Sequence, residues 1–323
     1  MTRYVLRRAV HAAFLLLGVS LLTFLFSALA PGRYFDEMKM NPQIAPETIA
    51  ALRAQYGVDQ PLPMRYARWL DGLVRGDLGF SFAYNAPVGP MLRVRAANTL
   101  LLTTIAMLFA WGFALPLGIW SAEREGRWPD HLVTAATAAL FIVPDLVLAL
   151  GLLLFAVHSG WFPAGGMAAV GAESLSWTAR GRDYVLHLAL PVAALVLGTC
   201  PMLVRHVRAA ILDVLDSGFI RAARGHGISR RRLLFCYALR AATNPLLSLF
   251  GLSLGTLLSG SLIIEVVMSW PGLGPFLLEA ILARDLYVVI GGVLLSTVFL
   301  VGGNLAADLL LYWADPRIRA ERV

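Results

Sequence analysis

The chain has 323 residues, of which 58% are hydrophobic and 15% are charged. Soluble domains carry about 25% charged residues, so this composition excludes an ordinary soluble protein and favours an integral membrane protein. The formal net charge of +7 would suggest nucleic-acid binding in a soluble chain, but membrane proteins concentrate arginine in their cytoplasmic loops. We therefore expect membrane lipid around the chain, and no nucleic acid.

Six apolar runs are long enough to cross a bilayer as helices. The first has a basic start and could be a signal peptide, but its apolar run of about 20 residues exceeds the usual 7–15, so we expect a retained anchor. The six predicted spans cover approximately residues 9–30, 98–121, 131–158, 184–205, 245–267 and 287–311.

Three regions follow from these spans. Residues 1–30 form the cytoplasmic N-terminal end and the first span, residues 31–97 form a small extracytoplasmic helical segment, and residues 98–323 form a core of five spans. In the middle region, Pro46 predicts the start of a helix that ends at Gly57. A second helix is predicted by apolar residues that share one face, namely Met64, Tyr66, Trp69, Leu70 and Leu73.

The distribution of arginine predicts the orientation in the membrane. With a cytoplasmic N-terminus, sixteen arginines fall in the short inside segments and three in the short outside loops. Because positive residues accumulate on the cytoplasmic side, we expect both termini, and the loop 206–244, to be cytoplasmic.

The basic segment, defined as residues 219–234 (FIRAARGHGISRRRLL), contains five arginines between apolar spans. The sequence predicts a short helix that Gly225 weakens and that Gly227 ends in a left-handed conformation. Ser229 is the predicted N-cap of a second helix, and Pro245 is expected to bend the chain where the fifth span begins. The apolar stripe predicted for that second helix consists of Leu233, Cys236, Tyr237 and Ala241. From the residues alone, the segment either docks on a cytoplasmic partner or contacts anionic lipid.

Catalytic motifs are absent from the sequence. It contains no zinc-protease motif, no nucleophile elbow and no phosphate-binding loop, and its six histidines are scattered. We therefore expect no catalytic residue, metal site or cofactor in this chain, so any ATP hydrolysis must occur in another subunit.

Intramembrane charges and prolines suggest a substrate pathway. Asp145 follows Pro144 near the middle of the third predicted span, where a buried charge is costly and often marks function. Its carboxylate either lines a substrate path or pairs with a polar backbone group that the proline leaves without a partner. The prolines predicted to interrupt the second, third and fourth spans are Pro116, Pro144, Pro191 and Pro201.

Several stretches resemble one known family. The basic segment with its continuation FCYALRAATNPLL, the stretch LRAQYGVDQPLPMRYARWLDGLVRGDLGFS, the motif SWPGLG and the closing ADPRIR are similar to binding-protein-dependent ABC importer permeases. Within these the chain resembles the peptide/nickel (oligopeptide and dipeptide) branch, in the subunit with a long first periplasmic loop. The resemblance implies an all-α protein of the bacterial cytoplasmic membrane with the six transmembrane helices of the type I importer permease fold.

The resemblance also implies partners and a coupling helix. The partners would be a homologous second permease, two ATPase subunits or domains that bind ATP and Mg²⁺, and an extracytoplasmic solute-binding protein. The cargo would be a peptide, or alternatively a nickel chelate, glutathione or an oligosaccharide. The coupling residues carried over from the family motif are Arg221, Ala222, Ala223, Arg224, Gly225, His226 and Gly227.

Two departures from the family pattern bear on function. Gly225-His226 stands where this branch usually has a small residue and lysine, and Asp145 stands where a small or apolar residue is expected. A secondary transporter driven by an ion gradient, or a membrane-embedded enzyme, would need several buried ionisable groups or a clustered catalytic set. The sequence shows one central carboxylate and no such cluster.

Overall fold

The computed structural model describes residues 2–29, 46–47, 53 and 60–314, which are predominantly helical. Two strands of two residues, β1 (Phe80–Ser81) and β2 (Ala86–Pro87), form a small antiparallel hairpin. A 3₁₀ turn (Ala172–Ser174) precedes α6, and a π-helical turn (Leu233–Ala238) joins α8 to α9. The α-helices are α1 (Thr2–Leu29), α2 (Leu62–Val74), α3 (Val88–Glu123), α4 (Trp128–Ile142), α5 (Asp145–Ser159), α6 (Trp177–Leu215), α7 (Gly218–Gly225), α8 (Arg230–Arg232), α9 (Leu239–Ala241), α10 (Thr243–Val267), α11 (Leu273–Leu282) and α12 (Leu286–Ala314).

Helices α1, α3, α6, α10 and α12 are each long and apolar enough to cross a membrane. The pair α4 and α5 passes the same test together and brings the number of crossings to six if it forms one span. The predicted all-α membrane fold is therefore confirmed. The third predicted span, 131–158, is not one continuous helix, because α4 and α5 meet at an angle of 95°.

A proline explains the break in the third span. Proline excludes the helical conformation from the residue before it, and Val143 is accordingly extended, with φ −80° and ψ 120°. The other prolines behave differently, since Pro116 lies inside the continuous helix α3, and Pro191 and Pro201 lie inside α6. The second and fourth spans are therefore continuous helices, and the predicted break in the chain occurs only in the third of these spans. Membrane helices tolerate proline where local adjustment and neighbouring helices satisfy the freed backbone groups.

The chain divides into two compact units. The first comprises Met1–Thr99 and Pro271–Phe299, and the second comprises Leu100–Trp270 and Leu300–Val323. In the first unit, Phe24 of α1 packs in a buried cluster with Trp69 of α2 and with Ile290 and Leu294 of α12. The Ser20 and Tyr66 hydroxyls are hydrogen-bonded at 2.8 Å, so α2 is attached to the apolar helix α1 by both polar and apolar contacts.

Helix α2 confirms the second helix predicted in residues 31–97. Trp69 is buried and Tyr66, Leu70 and Leu73 are half-buried, but Met64 is exposed, so its assignment to the apolar face was wrong. Met64 lies in the first turn of the helix, beyond the residues that pack in the core of this unit. The helix predicted between Pro46 and Gly57 lies largely outside the described residues.

A buried carboxylate holds the hairpin of the first unit. Asp285, between α11 and α12, is fully buried and accepts hydrogen bonds from the Ser81 hydroxyl at 2.6 Å and the Ala83 amide at 3.1 Å. Tyr84, in the hairpin turn, hydrogen-bonds the Glu279 carboxylate, and burial together with this bond raises the pKa of Tyr84 to about 12. The hairpin is therefore attached to the helices through β1 and its turn.

The core of the second unit is formed by α3, α4, α5, α6 and α10. Small residues of α3, such as Ala106 and Ala110, and larger ones of α6, such as Leu203 and Val207, are fully buried there. A polar contact crosses this core, since Trp111 Nε1 donates to Ser253 Oγ at 3.0 Å. These helices provide the framework for the basic segment and for Asp145.

Candidate functional site

Helix α7 carries most of the residues predicted to couple the protein to a partner. It begins after Asp216 and Ser217, where the backbone of Ser217 is extended and breaks the line of α6. Ile220 is fully buried and attaches α7 to the rest of the second unit. The other face of this short helix points away from the protein, and its arginines are exposed.

The seven predicted coupling residues lie together on α7 and the turn that follows it. Ala223 is half-buried and the other six are exposed. Gly227 has φ +78°, which confirms its predicted left-handed conformation at the end of the helix. The His226 ring hydrogen-bonds through Nδ1 to the Ala222 carbonyl at 2.8 Å, so it closes the last turn of the helix.

The helix after Gly227 differs from its prediction. Leu233, Leu234, Ala238 and Ala242 are buried, whereas two members of the predicted stripe, Cys236 and Ala241, are exposed. The π-helical turn Leu233–Ala238 is the reason, because its wider turn brings residues five apart onto one face. The predicted stripe assumed the α-helical period and is therefore wrong in these two members.

The boundaries of this region lie close to the predicted ones, with one difference at Ser229 and another at Pro245. Ser229 precedes α8 with an extended backbone, but within the described residues its hydroxyl makes no capping hydrogen bond. Helix α10 begins at Thr243, so Pro245 lies in its first turn, where a proline removes no helical hydrogen bond. The helix break predicted at Pro245 thus falls at Ala242.

Two contacts attach the basic segment and α6 to the end of α3. Arg230 Nε lies 3.8 Å from Glu123 Oε1, and both side chains are substantially exposed, so this pair contributes little stability. The second contact is the Asp130 cluster, defined as Ser121, Gly126, Asp130 and Arg208. Its central carboxylate is 3% exposed and lies in the first turn of α4.

The Asp130 cluster joins three segments through one carboxylate. Arg208 of α6 donates from Nε to Oδ1 at 2.7 Å and from Nη2 to Oδ2 at 2.8 Å. Ser121 Oγ, in α3, donates to Oδ1 at 2.5 Å, and the Gly126 amide donates to Oδ2 at 3.0 Å. A paired arginine–carboxylate contact with both oxygens satisfied is directional as well as strong.

The sequence does not reveal the Asp130 cluster. Arg208 lies in the segment 206–244 and is one of the sixteen inside arginines that predict membrane orientation, and no motif marks Asp130. One signal was available, because Asp130 follows Trp128-Pro129 at a predicted helix start, where a carboxylate is favourable. Its partner, however, is 78 residues away in the chain, and nothing in the local pattern identifies it.

Asp145 lies near the middle of the predicted third span, but the break there makes it a helix end instead of a helix interior. It is the first residue of α5, where the helix N-terminus favours a carboxylate. Its carboxylate lies against Gly198 of α6, so closely that a β-carbon on this glycine would collide with the carboxylate. It also lies 3.9 Å from the position that a β-carbon on Gly260 of α10 would take.

The structure therefore places two candidate regions apart within the second unit. The residues predicted to couple lie on α7 and the turn after it, and Asp145 lies at the break of the third span between α6 and α10. Helix α6 connects them, since Gly198 is near its middle and its end leads into α7. Among the described residues, no group of three or more His, Cys, Asp or Glu side chains could hold a metal ion.

Comparison with solved structures supports the fold. A chain of an inward-facing structure of the MetNI methionine ABC transporter matches with a TM-score of 0.56 and 21% identity. The match covers 70% of this chain and 96% of that chain. At this identity the likeness concerns the fold alone, and it is the helical fold of an ABC importer permease.

Full-length relatives are more similar in sequence. The oligopeptide transport system permease protein AppB of Bacillus subtilis is 34% identical, covering 98% of this chain and 99% of the relative. The dipeptide transport system permease protein DppB of Escherichia coli K12 is 34% identical over the whole of both chains. The glutathione transport system permease protein GsiC of Salmonella paratyphi A is 35% identical over 99% of each.

Two family models cover nearly the whole chain. The model described as binding-protein-dependent transport system membrane component, N-terminal, matches residues 1–103. The model described as binding-protein-dependent transport system inner membrane component matches residues 114–320. Together with the helical fold and the full-length relatives, these matches confirm the resemblance drawn from the sequence motifs: the chain belongs to the family of inner-membrane permease components of binding-protein-dependent transport systems.

Proposed function

We propose that this chain is the transmembrane permease subunit of an ATP-driven importer that takes up peptides, or a related small solute, by alternating access. The observation that carries the proposal is α7, a short exposed helix that follows the long helix α6 and carries small and basic residues on its outer surface. Such a surface suits docking in a groove of another protein, because alanines permit close approach and arginines pair with carboxylates.

The chain is proposed to act with four kinds of partner. Helix α7 docks on one of two ATPase subunits or domains, which bind ATP and Mg²⁺, so this chain contributes no ATPase site of its own. A homologous second permease completes the pathway, a solute-binding protein delivers the cargo from outside, and membrane lipid surrounds the apolar helices. Both termini and α7 face the cytoplasm, in agreement with the arginine distribution.

The peptide class is supported by the relatives AppB and DppB, which are named for oligopeptide and dipeptide transport. A second candidate is glutathione, since GsiC is equally similar and equally complete in its coverage. Nickel chelates and oligosaccharides remain the other cargo candidates of this branch.

Uptake by the reconstituted complex tests the proposal. The permease pair and its ATPases are placed in proteoliposomes with the solute-binding protein outside, and uptake of labelled peptides is measured. The complexes are oriented with their ATPases inside the vesicles. ATP inside the vesicles should then drive accumulation of the peptides, whereas a proton or sodium gradient without ATP should not. Accumulation driven by the gradient alone would contradict the proposal and favour a secondary transporter.

Calorimetry on the solute-binding protein then identifies the cargo class.

We propose that Asp145 makes the importer prefer substrates that carry a cationic group. A carboxylate exposed between two helices at the break of the third span can pair with a substrate ammonium or guanidinium group. A hydrogen bond to a charged group contributes about 1.5–3 kcal/mol, so Asp145→Asn should lower uptake of lysine-containing dipeptides about tenfold relative to neutral ones. The measurement is competition between a lysyl and an alanyl dipeptide in the same vesicles.

The control for this substitution is Asp71→Asn, which removes a carboxylate from the exposed Asp71–Arg75 pair of α2. The control should leave the ratio between the two dipeptides unchanged. If Asp145→Asn also leaves that ratio unchanged, Asp145 does not select the substrate, and its role is confined to the start of α5.

A further inference from the structure

We propose that Asp130 and Arg208 are positioning residues that transmit movement of α7 to the break in the third span. The inference rests on the proposed function, because that function assigns to α7 the contact with an ATPase. It adds a defined connection between this contact and the region of Asp145.

The first step is the rigidity of the Asp130 cluster. Both oxygens of the carboxylate accept two hydrogen bonds each, and Arg208 binds with two nitrogens, so the start of α4 is held to α6 and to the end of α3 at this point. Low exposure of Asp130 keeps water from competing for these bonds. A single exposed ion pair, such as Arg230–Glu123, would hold two segments together less firmly.

The second step is the position of Arg208 on α6. It lies seven residues before Leu215, where α6 ends and the turn into α7 begins. That separation is about 10 Å along the helix axis. A displacement of α7 therefore reaches Arg208 through two turns of continuous helix with no break between them.

The third step is the far end of α4. This helix begins near Asp130 and runs for 15 residues, or about 22 Å, to the break at Val143-Pro144. Asp145 follows immediately as the first residue of α5. Helix α6 packs along both halves of the broken span, and its contacts include Arg208 with Asp130 and Gly198 with Asp145.

Two contacts with one helix constrain the broken span to follow it. Without the Asp130 cluster, the start of α4 could slide against α6 when α6 tilts, and the movement would be lost at that contact. With Arg208 held by Asp130, the start of α4 moves with α6, and α4 carries the movement to the break at Val143-Pro144. The cluster is therefore placed to convert movement of α7 into a change around Asp145.

The test compares Asp130→Asn and Arg208→Lys with wild type in the complete importer, including ATPases and solute-binding protein, reconstituted in proteoliposomes. Asparagine keeps the size of the side chain but loses its charge, and lysine keeps the charge but not the two-pronged contact. The probe is the dipeptide alanylalanine, and the quantity measured is dipeptide accumulated per ATP hydrolysed, at equal amounts of assembled complex. Asp71→Asn serves as the control for removal of a carboxylate.

Both variants are expected to lower this ratio by roughly 2- to 30-fold while ATP hydrolysis continues. A purely stabilising cluster would lower the amount of assembled complex but leave the ratio unchanged, and that result would overturn the inference. If the Asp130→Asn complex fails to assemble, Ser121→Ala replaces it, because this variant keeps the ion pair and loses one hydrogen bond. Ser121→Ala is expected to lower the ratio less than Asp130→Asn. An unchanged ratio in both Ser121→Ala and Arg208→Lys would also overturn the inference.

The wild-type complex distinguishes this inference from the function on which it rests. ATP-driven uptake by wild type with unchanged variants rejects only the role of the Asp130 cluster. Absence of ATP-driven uptake of both alanylalanine and glutathione by wild type contradicts the proposed function itself, and the inference falls with it.

Discussion

Replacing Ala222 with tryptophan is expected to lower ATP-driven uptake about 5- to 150-fold without lowering the amount of permease in the membrane. Ala222 is exposed on α7, so an indole there displaces no residue of the protein core. At a docked surface, however, the added volume must push the partner away, and overpacking costs about 1–3 kcal/mol. Each 1.4 kcal/mol lost from binding lowers affinity about tenfold.

The measurement is co-purification of the ATPase subunits with the tagged permease, followed by uptake in proteoliposomes. A matched control is Ala164→Trp, an exposed alanine in the loop before α6, at the opposite end of that helix from α7. The control should retain its ATPase subunits. Normal co-purification and normal uptake by Ala222→Trp would show that α7 is not the docking helix, and would favour contact of the basic segment with lipid.

The sequence predicted the shape of α7 well because local chemistry determines it. Gly227 is the residue type that accepts a positive φ at a helix end, and the helix ends there. The following helix was predicted less well, because period counting assumes 3.6 residues per turn. The π-helical turn Leu233–Ala238 breaks that assumption, and no residue type announces it.

The third span shows a second limit. Its length and hydropathy predicted one crossing, and Pro144 predicted a disturbance, yet neither gives the 95° angle between α4 and α5. That angle depends on packing against α6 and α10, which the local sequence does not specify. The Asp130–Arg208 pair was missed for a related reason, since arginine near a predicted span end already had an explanation in membrane orientation.

A second large effect is expected from Gly198→Ala. The new β-carbon would collide with the Asp145 carboxylate, so α5 must move away from α6 or the carboxylate must leave its position. We expect a loss of about 1–3 kcal/mol in the free energy of unfolding, the usual cost of overpacking. Thermal denaturation of the purified complex in detergent measures it, and Gly181→Ala is the control, since a β-carbon at Gly181 of the same helix meets open space.

Removing the carboxylate should relieve the collision. In the double variant Gly198→Ala with Asp145→Ala, the added methyl group faces a methyl group in place of the carboxylate, so the two substitutions should cost less together than the sum of their separate effects. Directly contacting residues show interaction energies of about 0.5–3 kcal/mol in such cycles. Additive effects would mean that Asp145 does not contact α6 in the protein. The proposed connection between α6 and the broken span would then lack its contact at Gly198. A clear interaction energy would show that the Asp145 carboxylate contacts α6. Loss of the substrate preference in Asp145→Asn would show that the same carboxylate lies in the transport pathway. Both results together would therefore place this one group against α6 and in the pathway.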